Sequence, residues 1–157
     1  MKTKILKILD ELKINYKNYE HCPVFSCDEA KGIDIPGRRV KSLLLRNKRA
    51  TKYYMVVLED DKKLDWKKLR AELWENKMTF ASEERMVNKI WVKPGHVSPL
   101  ALINNEEKDV EVIFNKTLEN VLIWFHPGQN DNTVVLNMSD VETFLEKLWN
   151  KFTYLEL

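Results

Sequence analysis

The sequence predicts an α+β domain, a mixed and largely antiparallel sheet flanked by helices. Three observations predict it. Apolar residues recur at helical spacing near both ends of the chain. Strand-like runs follow one another through the middle without a helix between each pair. Gly, Pro, Asn and Asp punctuate the joins. The 157 residues fit a single domain over residues 1–157 that buries a core without staples.

Residues 2 to 13 carry the first helical pattern, and YKNYEH at 16 to 21 reads as extended. Ser26 with Glu29 forms a capping box that predicts a short helix from Cys27, ended by Gly32 and followed by a Pro36-Gly37 turn. RVKSLLLRN is then a strand and KYYMVVLE its hairpin partner. Asp65 caps the helix DWKKLRAELW, MTFAS is a short strand, and Ser82 caps the helix EERMVNKIW. Glu83 and Glu84 stand in its first turn, where the helix dipole favours them. DVEVIF, NVLIWF and NTVVLN are three further strands. Ser139 and Glu142 form a second capping box, which predicts the last helix as DVETFLEKLWNKF.

Apolar residues make up 44% and charged residues 32% of the chain, an ordinary globular balance. The longest apolar runs, such as VLIWF, are too short to span a bilayer. In MKTKILKILDEL the basic residues interrupt the apolar ones at helical spacing, which reads as an amphipathic helix and not an export signal. The cytoplasm is therefore the expected compartment. Cys22 and Cys27, with His21 beside them, raise the question of a metal. Their C-x4-C spacing lacks the second pair that a structural zinc site uses, so two reduced thiols and no metal are expected. Four glycines cannot supply GxGxxG or a Walker loop, and HExxH is absent. No cofactor is expected.

The net charge of +2 says little about partners, but its distribution says more. Seven basic residues lie between Ile35 and Leu58, namely Arg38, Arg39, Lys41, Arg46, Lys48, Arg49 and Lys52, with no acid among them. Such a block attracts phosphates, each one neutralised adding to affinity by counterion release. The plain alternative is a solvated hairpin with a charged turn. No aromatic residue stands between 35 and 52, so no stacking platform is indicated there. Lys41 differs from its neighbours. Alternation puts it on one strand face with Leu43 and Leu45, opposite Val40, Ser42 and Leu44. It lies in a cleft there, or snorkels at a sheet edge.

The stretch KPGHVSPLALIN combines a glycine with two prolines between a helix and an apolar run. Gly95 lets backbone approach a ligand closely, and Pro94 and Pro99 restrict φ at its flanks. Backbone N–H groups held in that way suit an oxyanion. A proline-punctuated connection is the simpler alternative.

FASEERMVNKIWVKPGHVSPLALIN resembles the core signature of the YbaK / prolyl-tRNA editing (ProX-type, synthetase-associated) deacylases. The resemblance continues through HCPVFSCDEA, VKSLLLRNK, FHPGQNDNTVVL and the C-terminal helix, in order and over nearly the whole chain. It implies an α+β editing domain that hydrolyses mischarged aminoacyl-tRNA, typically alanine attached to proline tRNA. It also implies tRNA as partner, with prolyl-tRNA synthetase as a further candidate. Gly95 and Pro99 match the family's GxxxP loop beside the scissile ester, Lys41 its strand lysine, and His126 its loop histidine. Lys41 would then hold a terminal phosphate or ribose, and His126 would bind substrate or water or transfer a proton.

Ser98 and Pro99, with Ser42, Val24 and Phe25, are candidates for the acyl pocket. Arg38, Arg39, Arg46, Lys48 and Arg49 are candidates for tRNA contact. His96 is treated as incidental. No serine or cysteine is paired with a base, so direct hydrolysis without a covalent intermediate is expected. Ser42 stands where the family more often has asparagine, and Cys22 and Cys27 replace residues that are commonly proline and valine. The preferred amino acid is therefore open: cysteine or serine are alternatives to alanine, and a non-catalytic module that binds tRNA or a synthetase is the alternative from another class.

Overall fold

A computed structural model describes residues 1–21, 35–128 and 131–157. The predicted short helix from Cys27, and Val24 and Phe25, lie outside the described residues.

The first helix, α1 (Lys2–Glu11), buries Ile5 and Leu9, one turn apart on one face. Strand β1 (Lys17–Glu20) follows. Strands β2 (Val40–Asn47) and β3 (Tyr53–Glu59) form the expected hairpin. Asn47 shapes its turn, its side-chain oxygen accepting from the N–H groups of Thr51 at 2.9 Å and Lys52 at 3.2 Å. Helix α2 (Trp66–Leu73) starts at Asp65, whose carboxylate accepts from Lys68 N–H, and α3 (Glu83–Ile90) starts at Ser82, whose hydroxyl accepts from Arg85 N–H. Both caps stand where the sequence places them. The short strand β4 (Met78–Phe80) lies between these helices. Strands β5 (Val110–Asn115), β6 (Leu122–Phe125) and β7 (Asn132–Asn137), helix α4 (Met138–Leu148) and strand β8 (Phe152–Leu155) complete the described elements.

Two sheets result. One has the order β4-β2-β3-β5-β8, antiparallel through β4, β2 and β3, and parallel through β3, β5 and β8. The other has the order β1-β7-β6 and is antiparallel. An isolated parallel bridge from Arg38 to Ile123 joins them. The main core lies between the sheets, where Leu44, Met55, Val57, Val112 and Phe114 meet Ile123, Phe125, Val134 and Leu136. Helices α1 and α4 close it with Ile5, Leu9, Phe144 and Leu145. The opposite face of the larger sheet packs Leu45, Tyr54, Val56, Leu58 and Ile113 against Leu69 of α2. The mixed α+β architecture is the one predicted.

Two local expectations are corrected. The last helix starts at Met138, not Asp140, after Asn137 in the cap position, so Ser139 sits in its first turn. Glu142 accepts a hydrogen bond from the Tyr154 hydroxyl and does not reach back to a cap. The helix also stops before Trp149, which turns left-handed at φ 65°. Phe152 then belongs to β8, paired parallel with β5. FTYL continues the helix's apolar spacing on paper, but the distant partner strand decides its conformation.

Candidate functional site

The GxxxP loop is anchored at both ends. A turn closes where His96 N–H donates to the carbonyl of Lys93 at 3.0 Å. Its two central residues are Pro94, with φ fixed by its ring, and Gly95 at φ +88°, the pattern of a type II turn. The Ser98 hydroxyl caps the following 3₁₀ helix, Pro99–Asn104, by accepting from Leu100 N–H at 3.1 Å. All six residues of that helix are buried. Gly95 is exposed at the turn, while Ser98 and Pro99 are buried. Among the described residues, the N–H groups of Gly95 and Val97 have no acceptor. Donors on a stiff, exposed turn with a buried base are what an incoming oxyanion requires.

His126 follows β6, at the rim of the smaller sheet. Its Nδ1 lies 2.7 Å from the Asn132 carbonyl. A carbonyl can only accept, so Nδ1 carries the proton and the neutral ring keeps its lone pair on Nε2. Burial pushes the His126 pKa below the ordinary 6.5. The bond to Asn132 opposes that shift, and the nearby charges of His21 and His96 reinforce it. The His21 ring packs edge-on against His126 with centroids 5.9 Å apart, and His21 Nε2 shares a 2.8 Å hydrogen bond with the Thr133 hydroxyl. His21 thus packs on His126, and His96 lies within electrostatic reach of it. Among the described residues no cluster of histidine, cysteine and carboxylate side chains has the geometry to hold a metal.

The isolated bridge sets Arg38 beside Ile123, just ahead of β2. Lys41 lies in β2 on the strand face of Leu43 and Leu45, the face that packs with α2 and not with the smaller sheet. The Lys41 ammonium donates to the carbonyl of Lys62. Lys62 is tied in turn to Glu59, with Nζ 3.8 Å from its carboxylate. Asn115 and Thr117 also donate to Glu59, the first at 2.8 Å, and Arg38 stands 3.7 Å away. Burial alone would raise the Glu59 carboxyl, but these hydrogen bonds and the Lys62 charge outweigh it and hold the group below its usual range.

A model of the family "Aminoacyl-tRNA editing domain" matches residues 24–144. The chain belongs to that family. It is therefore an aminoacyl-tRNA editing domain, an enzyme that hydrolyses the ester between an amino acid and tRNA. Over 159 residues it is 38% identical to the prolyl-tRNA editing protein ProX of Acetoanaerobium sticklandii, covering 99% of this chain and 97% of that one. It is 26% identical over 152 residues to prolyl-tRNA synthetase associated domain-containing protein 1 of Danio rerio, covering 94% and 82%. A solved structure described as a proposed trans-editing enzyme for prolyl-tRNA synthetase superposes with a TM-score of 0.72 at 15% identity, covering 99% and 96%. At that identity the superposition speaks for the fold.

In this editing domain the predicted residues separate into groups. His96, next to Gly95, lies within electrostatic reach of His126. The Lys41 ammonium, at the start of β2, is spent on the Lys62 carbonyl. Ser42 lies on the opposite strand face, the one that packs on the main core through Val40 and Leu44. The Ser98 hydroxyl is occupied as a cap. The basic block does not form one patch. Arg38 faces Glu59, and Arg39 lies 3.6 Å from Asp60. Arg46 donates to the carbonyls of Asn47 and Lys48, each at 3.2 Å, and so supports the hairpin turn. Lys48 and Arg49 remain at the far end of β2, away from the rim.

Sequence reasoning missed two contributors. His96 was set aside, and it stands close enough to His126 to influence its titration. His21 was weighed only as a metal ligand beside the cysteines, and it packs on the catalytic candidate itself. Nothing local signals either contact: positions 21 and 126 meet through the pairing of β1, β7 and β6, and position 96 comes from the separate loop after α3.

Proposed function

We propose that the protein is a free-standing trans-editing deacylase of mischarged proline tRNA, with alanine as the amino acid removed. One observation carries the reading: a histidine held neutral, with Nε2 as its lone-pair nitrogen, within electrostatic reach of a stiff turn whose N–H groups lack acceptors among the described residues. The names of the relatives support the prolyl assignment.

In this mechanism water attacks the carbonyl carbon of the aminoacyl ester. His126 Nε2 orients that water and accepts its proton. Negative charge builds on the carbonyl oxygen and is met by the N–H groups of Gly95 and Val97. The C–O bond to the ribose breaks, and the departing ribose oxygen takes the proton that His126 accepted from the water, which returns the ring to its neutral form. Lys41 exchanges the Lys62 carbonyl for a ribose or phosphate oxygen of the tRNA terminus. No covalent intermediate is required, because an aminoacyl ester is already activated. Selectivity rests on size. A synthetase pocket shaped for proline excludes a smaller residue by only ~1–3 kcal/mol per missing methylene, so a second and narrower pocket is needed. Val24, Phe25, Ser42, Ser98 and Pro99 remain the proposed surroundings of that pocket, and Arg38, Arg39, Arg46, Lys48 and Arg49 the proposed tRNA contacts.

The experiment is a panel of Ala-, Cys-, Ser- and Pro-tRNA(Pro), with free amino acid measured over time. Alanine should be released fastest and proline spared. Faster release of cysteine or serine would reassign the substrate. Tight binding of every tRNA with no release would replace the enzyme by a binding module.

A further inference from the structure

The far end of β2 carries a feature that deacylation chemistry does not use. The hairpin turn and the segment leading into β4 enclose a depression of about 370 Å³, lined by Asn47, Lys48, Arg49, Trp74, Glu75 and Lys77, among others. That volume falls in the ~300–1,000 Å³ range of small-ligand sites. Trp74 is 93% exposed. Its backbone is fixed all the same, because it ends α2 at φ 58° with its N–H on the Ala71 carbonyl at 3.3 Å. An indole held out in this way is a ready platform that loses little freedom when something stacks on it. Among the described residues, Lys48, Arg49 and Lys77 have no acidic partner within ion-pair distance. Glu75 is the one acid on the lining, against three cations.

Trp91 provides a comparison inside the same molecule. It also ends a helix at φ 58° and is 60% exposed. Its depression is smaller, about 70 Å³, and includes Glu106 and Glu107. The lysine there, Lys89, is neutralised by Glu107 at 2.8 Å and Asp109 at 2.5 Å. Indole and backbone are alike at the two places, and the charge is opposite.

We infer that the Trp74 depression is a second RNA-binding site, which stacks an unpaired nucleobase on the indole and holds the flanking phosphates with Lys48, Arg49 and Lys77. An aromatic face between unpaired cations fits a nucleotide, whereas a solvated charged turn has no use for an exposed indole. The residues are distant in sequence, so the basic block gains its stacking partner only on folding. From Lys41 to Asn47 is six strand steps, roughly 20 Å at about 3.3 Å each. Only a long ligand reaches both ends. This inference rests on tRNA being the substrate, and it adds a site that a short acceptor-end fragment does not touch.

Two measurements separate the second site from the first. Binding of unacylated tRNA is followed by fluorescence anisotropy of an end-labelled tRNA. Hydrolysis is followed on full-length acylated tRNA and on a short acylated acceptor-end hairpin. Trp74→Ala should weaken tRNA binding about tenfold, as loss of one stacked base does. It should raise KM for full-length substrate by a similar factor, leave kcat unchanged, and leave the short hairpin unaffected. Trp74→Phe should restore most of the binding, and Trp91→Ala should change nothing. Lys48→Gln and Lys77→Gln should each make the salt dependence of binding shallower by about 0.7 to 0.9 in log–log slope. Unchanged tRNA binding by Trp74→Ala overturns the site, as does an equal loss on the short hairpin. Binding that depends on Trp74 without any deacylation keeps the site and removes the deacylase reading. Deacylation that is indifferent to Trp74 does the reverse.

Discussion

The two sheets are built from similar strands and do different work. The five-stranded sheet has apolar clusters on both faces, and its central strand β3 is buried along its whole length. The three-stranded sheet turns Ile123, Phe125, Val134 and Leu136 to the same core. Among the described residues its other face holds a small cluster of Trp124 and Val135 with Tyr19 and Ile35, and carries His126, His21 and Thr133 beside it. The difference shows where a small domain can place reactive groups. In the five-stranded sheet the titrating side chains of β3 are packed in, as Tyr54 is, or stand at the strand end, as Glu59 does, whereas His126 stands half-buried just past the end of β6.

The sharpest way to break this contrast is to make one truncation in each sheet. His126→Ala should lower the deacylation rate by about 10²- to 10⁴-fold, the usual worth of a positioned acid–base group. Its urea midpoint should stay close to that of the parent. Phe114→Ala, at a fully buried position of β5, should cost about 3–5 kcal/mol of stability, read from urea unfolding. The fraction that remains folded should hydrolyse substrate at an ordinary rate. Equal losses of stability in the two variants would mean that the sheets are not divided in this way.

Glu59 lies on the seam and gives a smaller, mixed effect. It belongs to the five-stranded sheet, yet it holds Lys62, whose carbonyl receives Lys41. Glu59→Gln keeps the shape, removes the charge, and weakens the hydrogen bonds from Asn115 and Thr117. A loss of about 1–2 kcal/mol is expected near neutral pH. The Glu59 carboxyl is held below its ordinary 4.5, so its contribution is complete above that value and fades as the pH falls through the lower folded value. Parent and variant should therefore converge in acid. A gap that persists there would assign the effect to packing and not to charge.

Much of this was readable in the residues, and the limits have physical causes. Asp65 and Ser82 were legible as caps because a cap is a local device, a side-chain oxygen on an N–H three residues on. The β2–β3 hairpin was legible for the same reason. Strand β8 was not, because parallel pairing with β5 joins segments far apart in the chain. The GxxxP loop, Lys41 and His126 could be picked out through the family pattern. The meeting of His21, His96 and His126 could not, since nothing in the spacing announces it. The basic block misled by looking continuous. The length of β2 divides it, with Arg38 and Arg39 facing acids at one end, and Lys48 and Arg49 beside Trp74 at the other.

The smallest expected effect tests the histidine cluster itself. Burial keeps His126 neutral to a pH below 6.5, and positive charge on His21 or His96 pushes it further down, while Asp131 pulls the other way. Two consequences follow with fixed sign. A histidine whose folded value is depressed stabilises the fold fully above its unfolded value and less as the pH drops through the folded one, so this share of stability is lost on acidification. The acid limb of the deacylation rate, corrected for the uncatalysed ester, should likewise fall below pH 6.5. His96→Gln removes one of the two imidazoles that push His126 down, so it should move that limb slightly upward, with little change in the plateau rate. A limb that moves downward, or stays fixed while the plateau collapses, would show that His96 acts on the substrate directly and not through the proton on His126.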